Sequence, residues 1–240
     1  MEKSVSIFIP AFNEGKLLAD TITTIERIRV KNGFRSELVE YIVVDDGSTD
    51  DTGAIADHLA RQYPNLKVIH NGRNRGLGYN YEAALKQATK DYFLLIPGDD
   101  ETEKLTICII LQSIQKHERD IFVSYQANQE VRPFKRRIIS HTYTAAMNFL
   151  FKMNLRYFNG LNAIKISQLR KAKLMTDGPS YMAGILIQLI KQHRATYLQI
   201  PMFVKSQPGR KSRLLKWKNV LRVIKHVHDL KKLLRETPST

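Results

Sequence analysis

The stretch Phe93-Leu94-Leu95-Ile96-Pro97-Gly98-Asp99-Asp100-Glu101 decides how the chain is read: an apolar run breaks at Pro-Gly and delivers three consecutive carboxylates to one tight loop. Adjacent carboxylates repel one another, and loops after buried strands are where α/β proteins hold ligands, so a hard divalent cation is the natural partner. The competing reading is a solvated acidic turn that caps a helix beginning near Lys104. Two upstream stretches repeat the pattern. Val5-Ser6-Ile7-Phe8-Ile9-Pro10 leads into Ala11-Phe12-Asn13-Glu14, and Tyr41-Ile42-Val43-Val44 leads into Asp45-Asp46-Gly47-Ser48-Thr49-Asp50. Leu18, Ile22, Ile25 and Ile28 keep one helical face after the first, as do Ile55 and Leu59 after the second. Strand, loop and helix in repetition predict an α/β fold with a mostly parallel sheet. In such sheets the loops at the carboxyl ends share a crevice, where Glu14, Asp45, Asp46 and Asp99 are expected to converge.

A further loop, Asn71-Gly72-Arg73-Asn74-Arg75-Gly76-Leu77-Gly78, follows the short strand Leu66–Ile69 and precedes a helix running to about Thr89. Glycines at a helix N-terminus beside two arginines suit a diphosphate, because free N–H groups and guanidinium groups both favour anions. A plain flexible turn is the alternative.

Four ordered stretches, Ile9-Pro10-Ala11-Phe12-Asn13-Glu14, Val43 to Asp50, Asn74-Arg75-Gly76-Leu77-Gly78 and Pro97-Gly98-Asp99-Asp100, carry a resemblance. Residues 5 to about 124 resemble the nucleotide-binding half of glycosyltransferase family 2 enzymes, which have the Rossmann-like GT-A fold. The resemblance implies a nucleotide-diphospho-sugar donor, UDP- or GDP-linked, with Pro10, Phe12, Glu14, Asp45, Asp46, Arg75 and Gly76 around it. It also implies Mg²⁺ or Mn²⁺ on Asp99, helped by Glu101, with Asp99, Asp100 and Glu101 as the catalytic acids. An ion between carboxylate and phosphates neutralises the charge of the leaving group. The family's Asp-x-Asp would put an acid where this chain has Pro97, a departure that points to an altered metal requirement or to a catalytically silent scaffold.

Charge divides the chain. Residues 1–130 hold 15 Lys+Arg against 20 Asp+Glu, whereas residues 131–240 hold 23 against 3. A basic half of that size calls for an anionic membrane, a phosphorylated substrate or nucleic acid. From Leu214 to Arg235 the residues Trp217, Val220, Leu221, Ile224, Val227, Leu230 and Leu234 fall on one helical face, with lysines and arginines elsewhere, as in an interfacial helix. From Arg132 to Met153 a basic start gives way to Ile138, Ile139, Phe149, Leu150 and Phe151. The plainer alternative for both is a helix packed on its own protein with a solvated charged face. The two histidines of the C-terminal helix, His226 and His228, are expected on its surface.

Arg136-Arg137-Ile138-Ile139-Ser140, Asn159-Gly160 and the segment from Ile200-Pro201 to Gly209-Arg210-Lys211-Ser212 resemble the polyprenyl-phosphate, dolichyl-phosphate mannose synthase-like branch of the family. This resemblance implies inverting transfer onto a polyprenyl phosphate, dolichyl or undecaprenyl, with Arg132, Arg136, Arg137, Arg210 and Lys211 as candidates for its phosphate. Transferases that act on sugar hydroxyls usually carry an acidic base in the helix where this chain has Tyr181 to Ile187, all without charge. A phosphate monoester with a second pKa near ~6 is already ionised at pH 7 and needs no such base. Two departures stand beside the match: the branch often has an arginine where Gln126 follows Tyr125, and another before Gly209.

Taken together, the chain is expected to form one glycosyltransferase domain over residues 1–240, with residues 1–130 binding donor and residues 131–240 facing acceptor and membrane. Without an apolar run approaching about 18 residues or room for a signal peptide, it is expected in the cytoplasm. There it would sit peripherally on a membrane, with or without a membrane-protein partner. Cys108 is expected in the core. The alternatives are transfer to a hydroxyl of a surface polysaccharide or glycolipid, with Asp100 or Glu101 as base, and a nucleic-acid-binding module. The latter lacks aromatic platforms and leaves the acidic loops without purpose, so no nucleic acid is expected as a partner.

Overall fold

A computed structural model describes residues 2–176, 178, 180–206 and 217–236; of residues 217–220 it describes the backbone alone. Seven strands form one sheet: β1 (Val5–Ala11), β2 (Val39–Asp45), β3 (Leu66–His70), β4 (Tyr92–Leu95), β5 (Ile121–Gln126), β6 (Ala163–Lys165) and β7 (Tyr197–Met202). Their spatial order is β3-β2-β1-β4-β6-β5-β7, and β6 alone runs against its neighbours. The parallel α/β architecture expected from the repeated strand-loop-helix pattern is therefore present, and so are the strands at each anticipated position.

Helices α1 (Gly15–Lys31), α2 (Thr52–Gln62) and α4 (Lys104–Lys116) cover one face of the sheet. The other face carries α3 (Leu77–Gln87), α5 (Phe134–Phe151), the short α6 (Ile166–Leu169), α7 (Tyr181–Lys191) and α8 (Trp217–Glu236). Because successive strand residues point to opposite faces, Ile7, Ile9 and Val43 pack on Leu18, Ile22 and Ile25, while Phe8, Ile42 and Val44 pack on the far side with Tyr81 and Leu186. Both faces are dry, which explains why β1 and β2 read as unbroken apolar runs. Burying each such large apolar side chain contributes about 1.5–3 kcal/mol.

β6 joins the acidic and basic parts of the chain, since it comes from after residue 130 yet lies between β4 and β5. Gly160, just before it, admits no side chain: a Cβ there would collide with the Ser124 carbonyl and hydroxyl. Asn162 then accepts the Ser124 N–H at 2.9 Å and locks the approach.

Some expectations about the C-terminal half need correction. His226 is 3% exposed, not a surface residue; its Nδ1 lies 2.7 Å from the Ser180 hydroxyl, and it packs where Gly184 of α7 leaves room. Burial holds its imidazole below the ordinary range against the pull of Asp229. The apolar stripe of α8 divides: Val227, Leu230 and Leu234 turn onto the core, while Leu221 and Ile224 stay exposed. In the first half of the chain, Cys108 of α4 is half-buried and packs against the core, a free thiol 3.4 Å from Asn32 Oδ1. No described helix is long and apolar enough to cross a membrane.

Candidate active site

Since β1, β2, β4 and β5 run the same way, the loops after Ala11, Asp45, Leu95 and Gln126 emerge on one edge of the sheet. Gly98 brings the acidic loop against the first of them, its N–H donating to the Pro10 carbonyl at 3.1 Å. Pro10, Phe12 and Glu14 are half-buried there; Asn13 takes a left-handed backbone, and its side chain accepts the Thr49 N–H at 2.8 Å. Thr52 Oγ1 accepts the N–H groups of Glu14 and Gly15 at 2.9 and 2.8 Å, so the loops after β1 and β2 are cross-tied.

The two aspartates of the β2 loop are buried and have different tasks. Asp45 accepts the Ser48 N–H at 3.0 Å and pairs with His70 at 3.2 Å. Burial pushes its carboxyl up, but the Ser48 and His70 hydrogen bonds outweigh that and hold it below its ordinary range. Asp46 reaches across to the 71–76 loop, accepting Asn71 Nδ2 at 2.9 Å and the N–H groups of Arg75 and Gly76 at 2.8 and 3.0 Å. Those two N–H groups, which the sequence reading offers to a diphosphate, are taken by this carboxylate, so the loop is a pinned turn and not a flexible one. Gly47, with φ +74°, permits the approach, because any Cβ would strike the Arg73 backbone. The Arg75 guanidinium stands 4.1 Å over the Tyr79 ring.

In the acidic loop Asp99 is 8% exposed and accepts the Glu101 N–H at 3.1 Å. Asp100 has φ +51°, and its carboxylate forms an ion pair with Lys205 at 2.6 Å. None of the three acids is the cap of α4; that position is Glu103, which makes no side-chain capping bond. The loop is instead fastened to residues 203–205, through Glu103 N–H to the Phe203 carbonyl at 3.2 Å and Lys205 N–H to the Glu101 carbonyl at 2.8 Å. Asn128, beyond β5, grips the same segment by two bonds to Val204, of 2.8 and 3.2 Å. Residues 203–205 thus strap the acidic loop to the start of the basic half.

The loops that carry Glu14, Asp45, Asp46 and Asp99 thus emerge together on one edge of the sheet. Among the described residues, no three acids or histidines close into a group that could hold a metal unaided. The reason is visible in the partners of Asp45 and Asp46, whose carboxylates are consumed in building the loops. Asp99 and Glu101 share the acidic loop on this edge, and carboxylate oxygens are the donor chemistry that hard cations such as Mg²⁺ and Mn²⁺ take.

Past β5, Arg132 and Arg137 line one small pocket with Gln126, Gln129, Ser140 and Tyr157. Arg132 donates to the Tyr157 hydroxyl at 3.2 Å, and the Nε of each arginine is buried without a partner. Arg136, also half-buried, is not among the pocket's lining residues. Arg210 and Lys211 lie outside the described residues. An arginine absent from the position after Tyr125 arrives through space, with Arg156 stacked 3.6 Å over the Tyr125 ring. Tyr157, Lys205 and His70 escaped the sequence reading: none sits in a motif, and only the fold brings them to this edge.

The architecture is GT-A-like. Glucosyl-3-phosphoglycerate synthase from Mycobacterium tuberculosis, in its structure with Mn²⁺, UDP-glucose and phosphoglyceric acid, superposes with a TM-score of 0.70 at 20% identity, over 95% of this chain and 79% of that one. The glycosyl transferase family 2 model matches residues 6–194, so the chain belongs to that family. Relatives include the dolichol-phosphate mannosyltransferase of Pyrococcus furiosus, 31% identical over 57% of this chain and 38% of its own length. The dodecaprenyl-phosphate galacturonate synthase of Rhizobium johnstonii is 25% identical over 76% of this chain and 55% of its own. The chain thus spans about half or less of the length of these two relatives.

Proposed function

We propose that the chain, acting as one glycosyltransferase domain, moves a sugar from a UDP- or GDP-sugar to a polyprenyl phosphate at a membrane surface, with inversion. The observation that carries this reading is the pocket holding the unpartnered Nε groups of Arg132 and Arg137. Buried cationic donors without partners are costly unless an anion completes them. The pocket volume of ≈ 20 Å³ admits a single water-sized group, which suits one phosphoryl oxygen with the remainder of the phosphate at the mouth.

A second feature supports a phosphate over a hydroxyl acceptor. Residues 181–189 of α7 are buried throughout and carry no acid, and Asp100 is already paired with Lys205, which leaves Glu101 as the remaining one of the two acids offered as base for a hydroxyl. The acceptor oxygen would attack the anomeric carbon from the side opposite the diphosphate, as the bond to the leaving nucleoside diphosphate breaks. Asp99 and Glu101 would hold Mg²⁺ or Mn²⁺, and a bound cation supplies neutralisation of the leaving phosphates. Arg132 and Arg137 orient the acceptor, while Asp46 holds the 71–76 loop in place against the donor.

The membrane reading draws on α5. Phe134, Ile138 and Phe149 recur at helical spacing along its outer side, and Phe149 is 85% exposed. An exposed apolar stripe beside Lys135 suits a peripheral attachment to an anionic leaflet. The test is transfer of radiolabel from UDP- and GDP-sugars into butanol-extractable lipid, with added polyprenyl phosphate, with and without Mg²⁺ or Mn²⁺, in wild type and Asp99→Ala. Metal-dependent lipid label lost in the variant is expected; donor turnover with no lipid product would overturn the acceptor assignment.

A further inference from the structure

Both ring nitrogens of His70 face carboxylate oxygens. Nδ1 lies 3.2 Å from Asp45 Oδ2, and Nε2 lies 3.0 Å from Asp57 Oδ1. A neutral imidazole has one N–H, so only the imidazolium donates to both acids. The ring stands at the end of β3, where His70 is in register with Asp45 of β2, and Asp57 belongs to α2. Three elements therefore meet on one side chain. Gly53, in the first turn of α2, presses on the same point: a Cβ there would lie 2.9 Å from Asp45 Oδ2 and 3.5 Å from His70 Cε1. The charged groups facing the ring are Asp45 from β2 and Asp57 from α2.

We propose that His70, as a cation, is a positioning residue for the nucleotide: it clamps Asp45, and with it the loop after β2, in the form that accepts the donor. This rests on the reading that Asp45 belongs to the donor site. The clamp explains why a half-exposed histidine, 44% accessible at its side chain, is spanned by two acids at the rim of that site. The Asp57 hydrogen bond lifts the imidazole above its ordinary range, burial opposes this, and Asp45 adds to the lift. For a group raised in the folded state, the contribution is complete below the ordinary histidine pKa of about 6.5 and is lost as pH rises through the elevated value. Above that point one ring nitrogen turns a lone pair toward a carboxylate, and the clamp opens.

The experiment is calorimetric binding of UDP and GDP, with Mg²⁺ present, at pH 6 to 9, for wild type, His70→Gln and Asp57→Asn, alongside NMR titration of the His70 ring. Wild-type affinity is expected to fall about fivefold from pH 6 to pH 9, the scale of one charge-assisted hydrogen bond after solvent screening. His70→Gln should bind at the weaker level with no such slope, and Asp57→Asn should move the midpoint to lower pH. An unchanged slope in His70→Gln, or a neutral His70 ring at pH 7, overturns the clamp. Failure of wild type to bind either nucleotide, with a cationic His70 ring, would instead overturn the donor reading on which the proposal rests.

Discussion

The loops after β2 and β5 hold charge in opposite ways. In the first, Asp45 and Asp46 are buried, and each accepts several internal hydrogen bonds, so their charge is used to build the loop. Beyond the second, Arg132 and, in the first turn of α5, Arg137 are half-buried, each with an Nε left unpartnered, and it is these groups that the proposed function gives to an arriving phosphate. Under the proposed function, saturated charge makes the scaffold and unsatisfied charge makes the binding site. Asp99 stands between these cases, enclosed like Asp46 but in a loop whose other acids are only partly buried.

Substitutions at the three sites should separate accordingly. The largest effect is expected at the ion: Asp99→Asn should lower sugar transfer by about 10²–10³-fold, on the scale of losing a key electrostatic group in a transition state, with an unchanged circular dichroism spectrum. If transfer survives, the ion is held elsewhere. Next, Arg132→Gln with Arg137→Gln should raise the KM for lipid phosphate by roughly 30-fold or more, as when a buried charge partner is removed, while nucleotide affinity holds. Equal loss of donor affinity would dissolve the distinction between scaffold and binding site.

Stability should show the inverse ranking. Asp46→Ala takes a buried carboxylate away from part-buried donors of the 71–76 loop and is expected to cost about 1–2 kcal/mol by urea denaturation. Asp100→Ala breaks a part-exposed ion pair with Lys205 and should cost no more than about 1 kcal/mol. Asp45 adds a pH signature: its carboxyl is held low in the folded protein, so its contribution is present above the ordinary carboxylate range and disappears as pH falls through the depressed value. Denaturation midpoints measured from pH 6 down to pH 3 should therefore decline less steeply in Asp45→Asn. The smallest effect on folding is expected at the outer side of α5, where Phe149→Ser should change stability by no more than about 0.5 kcal/mol. Its signature would be weaker flotation with anionic vesicles.

Much of the fold was legible in the chain. Periodicity in Leu18, Ile22, Ile25 and Ile28 reports a face because helix geometry is local, and all four side chains are buried. The unbroken run from Val5 to Ile9 reports a strand covered on both sides for the same reason. Acidic and glycine-rich loops at strand ends are legible too, since the sheet edge follows from strand direction. What a residue does with its charge depends on neighbours distant in sequence, which local spacing does not encode. No spacing in the sequence shows that Asp46 accepts the backbone N–H groups of residues 75 and 76. The apolar face of α8 was a single stripe in sequence, and docking against α7 divided it and buried His226.

The amino-acid order by itself determined the family, the run of strands and helices, the edge on which the acids gather, and the partition of charge between residues 1–130 and 131–240. Local spacing and composition encode these, and no long-range contact is needed to read them. Only the tertiary structure decided that Lys205 occupies Asp100, that Tyr157 joins Arg132, that Arg156 covers Tyr125 and that His70 bridges Asp45 and Asp57. Each of these pairings closes a chain segment of more than about ten residues, and only the packed sheet offsets the entropy of closing it.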